Sequence, residues 1–133
     1  MLISLLPLAA MISVSPAATE PPAFLFDAIR PRTAYRFAWD RLVKDVQPTP
    51  DWLRKFDSDF DGVSGAIKQV TVDGKPYLAS FVCKPTECAQ HRFVVLFEAN
   101  GSRALGALGG GGEPPAFFGN PSKDEQDALA EGF

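Results

Sequence analysis

The chain has 133 residues, of which 46% are hydrophobic and 22% charged, so it is long enough for one globular domain with a modest core. Its net charge of −3 argues against a nucleic-acid-binding protein, because such proteins carry a clustered basic surface. With one histidine and two cysteines, the sequence offers few ligands for a zinc centre.

The first segment is typical of a cleavable signal peptide. Residues 1–19 contain no charged side chain, and an apolar run is followed by the small residues Ser15 and Ala17. We therefore expect a signal peptide over 1–17 and a single domain over 18–133. The apolar run is shorter than the roughly 20 residues that a bilayer requires, so we expect no membrane span in the mature protein. The alternative is an N-terminal helix of the folded domain.

The first part of the predicted domain has the apolar spacing of helices. Apolar residues at helical spacing predict a helix over 33–46, with Thr33 as its N-cap and Pro48 just beyond its end. The segment 51–56 predicts one further helical turn.

From Val63 onward the apolar pattern changes to a period of two, which predicts strands. Asp73 and Gly74 are typical of a tight hairpin turn. The strand beginning at residue 91 is apolar on both faces, so we expect it to be central and covered on both sides. The predicted strands are 66–72, 77–82, 91–98, 103–108 and an edge strand, 113–118. The glycines at 109–112 predict a flexible break.

Ser122 and Glu125 have the spacing of a capping box that opens a last helix through Leu129. The element order predicts an α+β fold. We expect a small antiparallel meander of about five strands, with an N-terminal and a C-terminal helix packed against one face.

The segment between the two cysteines is the best candidate for a binding element. Cys83 and Cys88 lie between two predicted strands, and two cysteines of an exported protein most simply form one disulfide. So small a ring contributes about 2 kcal/mol by the chain-entropy model. Its larger effect is to fix the loop before a partner arrives. The predicted contact residues are Lys84, Pro85, Thr86 and Glu87.

Two other patterns resemble metal or redox sites. Residues 57–62 match the first half of a calcium loop, but Lys68 stands where the bidentate glutamate belongs, so an acidic, solvated turn is favoured. A calcium-dependent protein stays an alternative. The four-residue spacer between the cysteines is unlike the two-residue spacer of thioredoxin-type motifs, which disfavours a redox couple. A count of free thiols under native conditions distinguishes that alternative.

His91, the only histidine, is predicted to be a polar residue at the start of a strand or a contact at the rim of the binding surface. No nucleophile, base and orienting group can be assembled around one imidazole. We therefore expect no enzyme, no cofactor and no metal site.

Several segments together carry a resemblance to one known family: Pro50–Leu53, Asp73, Gly74, Tyr77, Cys83–Cys88, Arg92–Leu96, Ala104–Ala107 and Gly119–Pro121. Through them the sequence resembles the Ivy family, the periplasmic inhibitors of vertebrate (C-type) lysozyme. The resemblance implies an exported, periplasmic α+β protein, often a homodimer, that inserts its disulfide-closed loop into the lysozyme cleft. There, as the resemblance implies, the loop meets the two catalytic carboxyl groups and excludes the substrate.

The loop departs from the family pattern at two positions. Typical members carry a histidine and then an aspartate after Lys-Pro, whereas this chain has Thr86 and Glu87. A threonine hydroxyl is too short to bridge two carboxyl groups, so we expect binding weaker by tenfold to several hundredfold. The alternative target of the same loop is a lytic transglycosylase of the cell itself or another periplasmic protein.

Overall fold

The computed structural model describes residues 22–133. The predicted signal peptide over 1–17 lies outside the described residues. The helices are α1 (Leu25–Ile29), α2 (Ala34–Asp45), α3 (Asp51–Asp59) and α4 (Lys123–Ala130). The strands are β1 (Val63–Ser64), β2 (Lys68–Val72), β3 (Lys75–Cys83), β4 (Arg92–Glu98), β5 (Ala104–Gly110) and β6 (Glu113–Phe118). The α+β fold is therefore confirmed.

All strands belong to one antiparallel sheet in the order β1-β3-β4-β5-β6, and β2 also pairs with β3. β1 and β2 lie along the same edge of β3 and are separated by residues 65–67. These three residues pair with the chain at the start of α1. Phe24 forms a β-bridge with Ala66, and the N–H of Leu25, the first residue of α1, donates to the Gly65 carbonyl at 3.2 Å. The sheet thus has six strands rather than about five.

Helices cover both faces of the sheet. α1, α2 and α3 pack on one face, and α4 packs on the other. The first core contains Leu25, Ile29, Trp39, Leu42, Leu53, Phe56, Leu78, Val82, Phe93, Val95 and Phe97. The second contains Val72, Tyr77, Val94, Leu96, Leu105, Ala107 and Leu129.

The two-sided burial of β4 confirms the prediction made from its apolar pattern, since Phe93 through Phe97 are all buried. It also corrects the expectation that the helices share one face. A strand that is apolar on both sides needs a cover on each, and the amphipathic α4 supplies the second.

The remaining differences lie at element ends and turns. The segment predicted as a single turn after Pro50 extends to Asp59 as α3 and ends at Phe60 in the left-handed conformation, with φ of 54°. The glycines predicted as a flexible break instead finish β5 and form the β5–β6 hairpin turn. Gly111 and Gly112 both have positive φ there, which other residues rarely adopt. Within residues 22–133, no helix is long and apolar enough to span a membrane.

Candidate functional site

The loop between β3 and β4 is closed by the predicted disulfide. Cys83 is the last residue of β3, and Cys88 follows four loop residues, with 4.9 Å between the two Cα atoms. Cys83 is fully buried and its register partner on β4 is Arg92. One end of the loop is therefore fixed in the sheet. We call residues 83–88 the cysteine loop.

A tight turn forms the tip of the cysteine loop. The Glu87 N–H donates to the Lys84 carbonyl at 3.1 Å, so Pro85 and Thr86 are the two central residues. Thr86 has a φ of 66°. A proline followed by a residue with positive φ is the pattern of a type II turn, in which the second central residue is usually glycine or asparagine. A β-branched residue there stores backbone strain of about 1–2 kcal/mol.

An ion pair crosses the base of this turn. The Lys84 Nζ lies 2.7 Å from the Glu87 Oε2, and both side chains are nearly half exposed. The hydrogen bond and the charge of Lys84 hold the pKa of Glu87 below its ordinary value, with a smaller contribution from His91. Pro85 and Thr86 are exposed beside the pair. The tip therefore presents a proline, a hydroxyl and two charges that are already ordered.

His91 lies at the base of the loop and not at its tip. Its carbonyl accepts the Lys84 N–H at 2.9 Å, which extends the β3–β4 ladder by one bond beyond the disulfide. The Glu87 carbonyl accepts the His91 N–H at 3.0 Å and the Gln90 N–H at 3.1 Å. The imidazole is exposed, so its predicted contact at the rim of a binding surface stays a prediction.

Arg92 and the β5–β6 hairpin contact the second half of the connection. The Arg92 guanidinium lies over the Phe81 ring, 4.2 Å from its centroid. One nitrogen of the guanidinium donates to the Gly132 carbonyl at 2.7 Å, and the other lies 3.3 Å from the Cys88 sulfur. The Gly111 N–H donates to the Ala89 carbonyl at 2.9 Å.

An open groove of about 500 Å³ separates the cysteine loop from the first turns of α3. α3 and the segment after it contribute Asp51, Trp52, Lys55 and Asp61 to the lining, and the loop contributes Lys84 and Pro85. Trp52 is half-buried against the first core. Two of the predicted contact residues therefore have an aromatic side chain and a second lysine as neighbours.

The acidic segment that resembles half of a calcium loop has a structural role, because part of it is helical and one of its carboxylates bonds to a core tryptophan. Residues 57–59 end α3, and the Asp57 carboxylate accepts the Trp39 indole N–H at 2.8 Å. Among residues 22–133, no three histidine, cysteine, aspartate or glutamate side chains cluster as metal ligands would.

Sequence reasoning identified the cysteine loop but missed Trp52, Lys55 and Arg92 as its neighbours. A lysine on an exposed helix face and an arginine at a strand end are both common, so neither Lys55 nor Arg92 stands out in the sequence. Only the tertiary packing and the strand register bring them to the loop. A weak signal was present for two of them, because Trp52 and Arg92 lie within segments that carry the family resemblance.

The arrangement defines a class of protein. A small sheet ends here in a covalently closed, exposed and charged loop, and because the loop is already ordered, contact with a partner would cost it little conformational entropy. A sequence profile of the family described as "Inhibitor of vertebrate lysozyme (Ivy)" matches residues 34–128. The chain therefore belongs to the Ivy family, which is a family of inhibitors and not of enzymes.

The chain is also similar to two proteins from Pseudomonas aeruginosa. The protein named "Inhibitor of vertebrate lysozyme" is 30% identical over 141 aligned positions, which cover 96% of this chain and 89% of the relative. The uncharacterized protein PA5481 is 29% identical over 99 positions, which cover 74% of this chain and 61% of the relative.

Proposed function

We propose that this protein inhibits C-type lysozyme by placing the cysteine loop in the active-site cleft, where it excludes the substrate. The observation that carries the proposal is the preformed tip, Lys84 to Glu87, in a chain of the Ivy family. The relative that covers most of the chain is named for lysozyme inhibition. Export to the periplasm, with the signal peptide over 1–17 removed from a single domain over 18–133, belongs to the same proposal.

The chemistry of the cleft suits this tip. A lysozyme cleft holds one protonated and one ionised carboxyl group. The Lys84 ammonium supplies a charge-assisted hydrogen bond to the ionised one. The Thr86 hydroxyl donates or accepts one further bond. Because the disulfide and the Lys84–Glu87 pair already order the loop, little conformational entropy is lost on docking.

Thr86 sets the expected strength of inhibition. It offers one hydroxyl where typical family members carry an imidazole, so we expect weaker inhibition than theirs. Histidine is one of the residues enriched at positive φ, whereas a β-branched residue is disfavoured there. Thr86→His therefore fits the observed φ of 66° without added strain and is expected to strengthen inhibition.

A turbidity assay tests the proposal. Lysozyme clears a suspension of bacterial cell walls, and the purified protein is expected to slow this clearing in a dose-dependent manner. Thr86→His is expected to slow it further. A matched control is Thr71→His, which changes an exposed threonine on β2, away from the loop. Unchanged clearing at a large molar excess of the wild-type protein would overturn the proposal.

A second enzyme in the same assay addresses the other expected target. A lytic transglycosylase also cleaves cell walls with a carboxylate-centred cleft. Slower clearing by the transglycosylase with no effect on lysozyme would transfer the function to the cell's own enzymes and reject the lysozyme assignment.

A further inference from the structure

We infer that Arg92 is a positioning residue of the binding loop, which ties the loop to the C-terminal end of the chain and keeps the tip in its binding geometry. This inference rests on the proposed function, because it concerns how the same loop is held ready for its partner. It assigns a role to a residue outside the predicted contact set.

The disulfide alone leaves half of the connection free. The ring contains Lys84 to Glu87, but the chain must still pass through residues 89–91 before β4 begins at Arg92. Cys88 itself is not part of a strand. If Cys88 were mobile, the tip of the ring would move with it. A rigid tip therefore requires further contacts that fix Cys88 and the residues after it.

Arg92 is placed to hold them. Its guanidinium makes three contacts in three directions: the Phe81 ring beneath it, the Gly132 carbonyl on one side and the Cys88 sulfur on the other. Phe81 belongs to β3 and Gly132 follows α4, so the disulfide is linked to both the sheet and the last helix. A planar guanidinium makes such contacts simultaneously, and an ammonium group cannot reproduce that fork.

The β5–β6 hairpin supports the same segment from another side. The Gly111 N–H donates to the Ala89 carbonyl at 2.9 Å. Gly110 lies so close to the Gln90 carbonyl that a side chain at residue 110 would collide with it. Residues 89–90 are thereby held against the hairpin, while Arg92 holds the sulfur of Cys88. Backbone bonds also join this segment to the loop, from the Lys84 N–H to the His91 carbonyl and from the Gln90 and His91 N–H groups to the Glu87 carbonyl. Among these supports, Arg92 is the one whose side chain contacts the disulfide itself.

The test compares local order with binding in Arg92→Met and Arg92→Lys. Hydrogen exchange of the Lys84, Glu87 and His91 amides reports loop order without any partner. Arg92→Met is expected to raise exchange of these amides about tenfold more than exchange of the Val94 and Leu96 amides. The Kd for lysozyme is expected to rise about tenfold, which corresponds to about 1.4 kcal/mol. Arg92→Lys keeps the positive charge over the Phe81 ring, so its amide exchange and its Kd are expected to lie between those of the wild type and Arg92→Met.

Arg41→Met is the matched control. Arg41 also donates to a backbone carbonyl, that of Ser102 at 3.2 Å, but at the β4–β5 turn, the opposite end of β4 from the loop. It is expected to leave loop exchange and Kd unchanged. If Arg92→Met does not fold, Arg92→Lys carries the test.

Two results would overturn the inference. The first is loop exchange that does not change in either variant. The second is exchange that rises equally throughout β4, which would show a role in global stability only. Failure of the wild-type protein to bind lysozyme would reject the proposed function, but the exchange measurement would still decide the role of Arg92.

Discussion

Two ion pairs of nearly equal length lie in opposite surroundings. Arg103 and Glu125 approach to 2.8 Å, and Lys84 and Glu87 approach to 2.7 Å. Glu125 is almost fully buried and accepts two further hydrogen bonds, from the Tyr77 hydroxyl at 2.8 Å and from the Ser122 N–H at 2.9 Å. Glu87 is nearly half exposed and has its one basic partner within the same turn.

The difference shows that burial and the number of partners decide what an ion pair does. The group of Tyr77, Arg103 and Glu125, which we call the buried cluster, joins the first turn of α4 to β3 and to the turn before β5. Removing Glu125 leaves the buried Tyr77 hydroxyl without its acceptor, while the Arg103 side chain, 37% exposed, keeps contact with water. The loop pair has water on its outer side, so it shapes the tip and remains available to a binding partner.

Glu125→Ala should have the largest effect on stability. It removes the acceptor of the buried cluster and one half of the capping box of α4. We expect the free energy of unfolding to fall by about 3 kcal/mol, because the buried Tyr77 hydroxyl loses its acceptor and α4 loses half of its capping box. Urea denaturation measures it. Glu131→Ala, an exposed carboxylate at the end of the same helix, should change it by less than about 0.5 kcal/mol; equal losses in both variants would refute the role of the cluster.

Removal of the disulfide should have the next largest effect. Cys83→Ala with Cys88→Ala is expected to lower the free energy of unfolding by about 2 kcal/mol, because only a short ring is opened. Binding to lysozyme should be weakened by a larger factor than this stability loss implies, since the tip loses its fixed geometry. Calorimetry for unfolding and titration for binding give the two values. Unchanged lysozyme binding would contradict the account.

The pH dependence of stability should have an acid and an alkaline limit, and the buried cluster contributes to both. Burial raises the pKa of Glu125, but the bonds from Ser122, Tyr77 and Arg103 outweigh it, so this pKa lies below its ordinary value. The stability that Glu125 contributes is present above pH about 4.3, the pKa of a glutamate in the unfolded chain. It is lost as the pH falls through the lower pKa of Glu125 in the folded protein. Burial, followed by the bond to Glu125, raises the pKa of Tyr77 to about 12.

Because the folded pKa of Tyr77 lies above the unfolded one, its contribution is complete below pH about 10 and is lost as the pH rises toward 12. The effect should be smaller than that of Glu125→Ala, since no side chain is removed. Thermal melts from pH 2 to pH 12 measure both limits. Glu125→Gln should flatten the acid limb, and Tyr77→Phe the alkaline limb; curves identical to the wild type would exclude these two groups.

Lys84→Met should have the smallest effect on stability and a clear effect on binding. The loop pair is solvent-exposed, so the melting temperature is expected to stay within about one degree of the wild type. The Kd for lysozyme is expected to rise about tenfold, because one charge-assisted bond to the cleft is lost. Lys68→Met on β2 is the control. A large loss of stability in Lys84→Met would place the lysine in the fold instead of in the binding surface.

Local pattern was enough to predict most elements of the fold. The Asp73-Gly74 hairpin, the two-sided burial of β4 and the capping box of Ser122 and Glu125 follow from neighbours in sequence, and the structure confirms each of them. The disulfide followed from the cysteine count. The contact roles of Lys84 through Glu87 stay a prediction.

What the sequence could not show depends on contacts between distant segments. The capping box predicted that Glu125 begins a helix, but nothing local indicated that Arg103 and Tyr77 would reach it across the sheet. In the same way, only the β3–β4 register brings Arg92 beside the disulfide. The glycines at 109–112 are a different case, because the strand over 113–118 was predicted but glycine composition alone does not distinguish a hairpin turn from a flexible break.

Competition in the lysozyme cleft tests the central claim most directly. The Kd of this protein for C-type lysozyme is measured by titration with increasing amounts of a chitooligosaccharide that fills the cleft. If the cysteine loop occupies the cleft, the apparent Kd rises linearly with the saccharide concentration from its value without saccharide, and Thr86→His shifts the whole series to tighter binding. A Kd that stays constant as the saccharide saturates lysozyme would contradict the account.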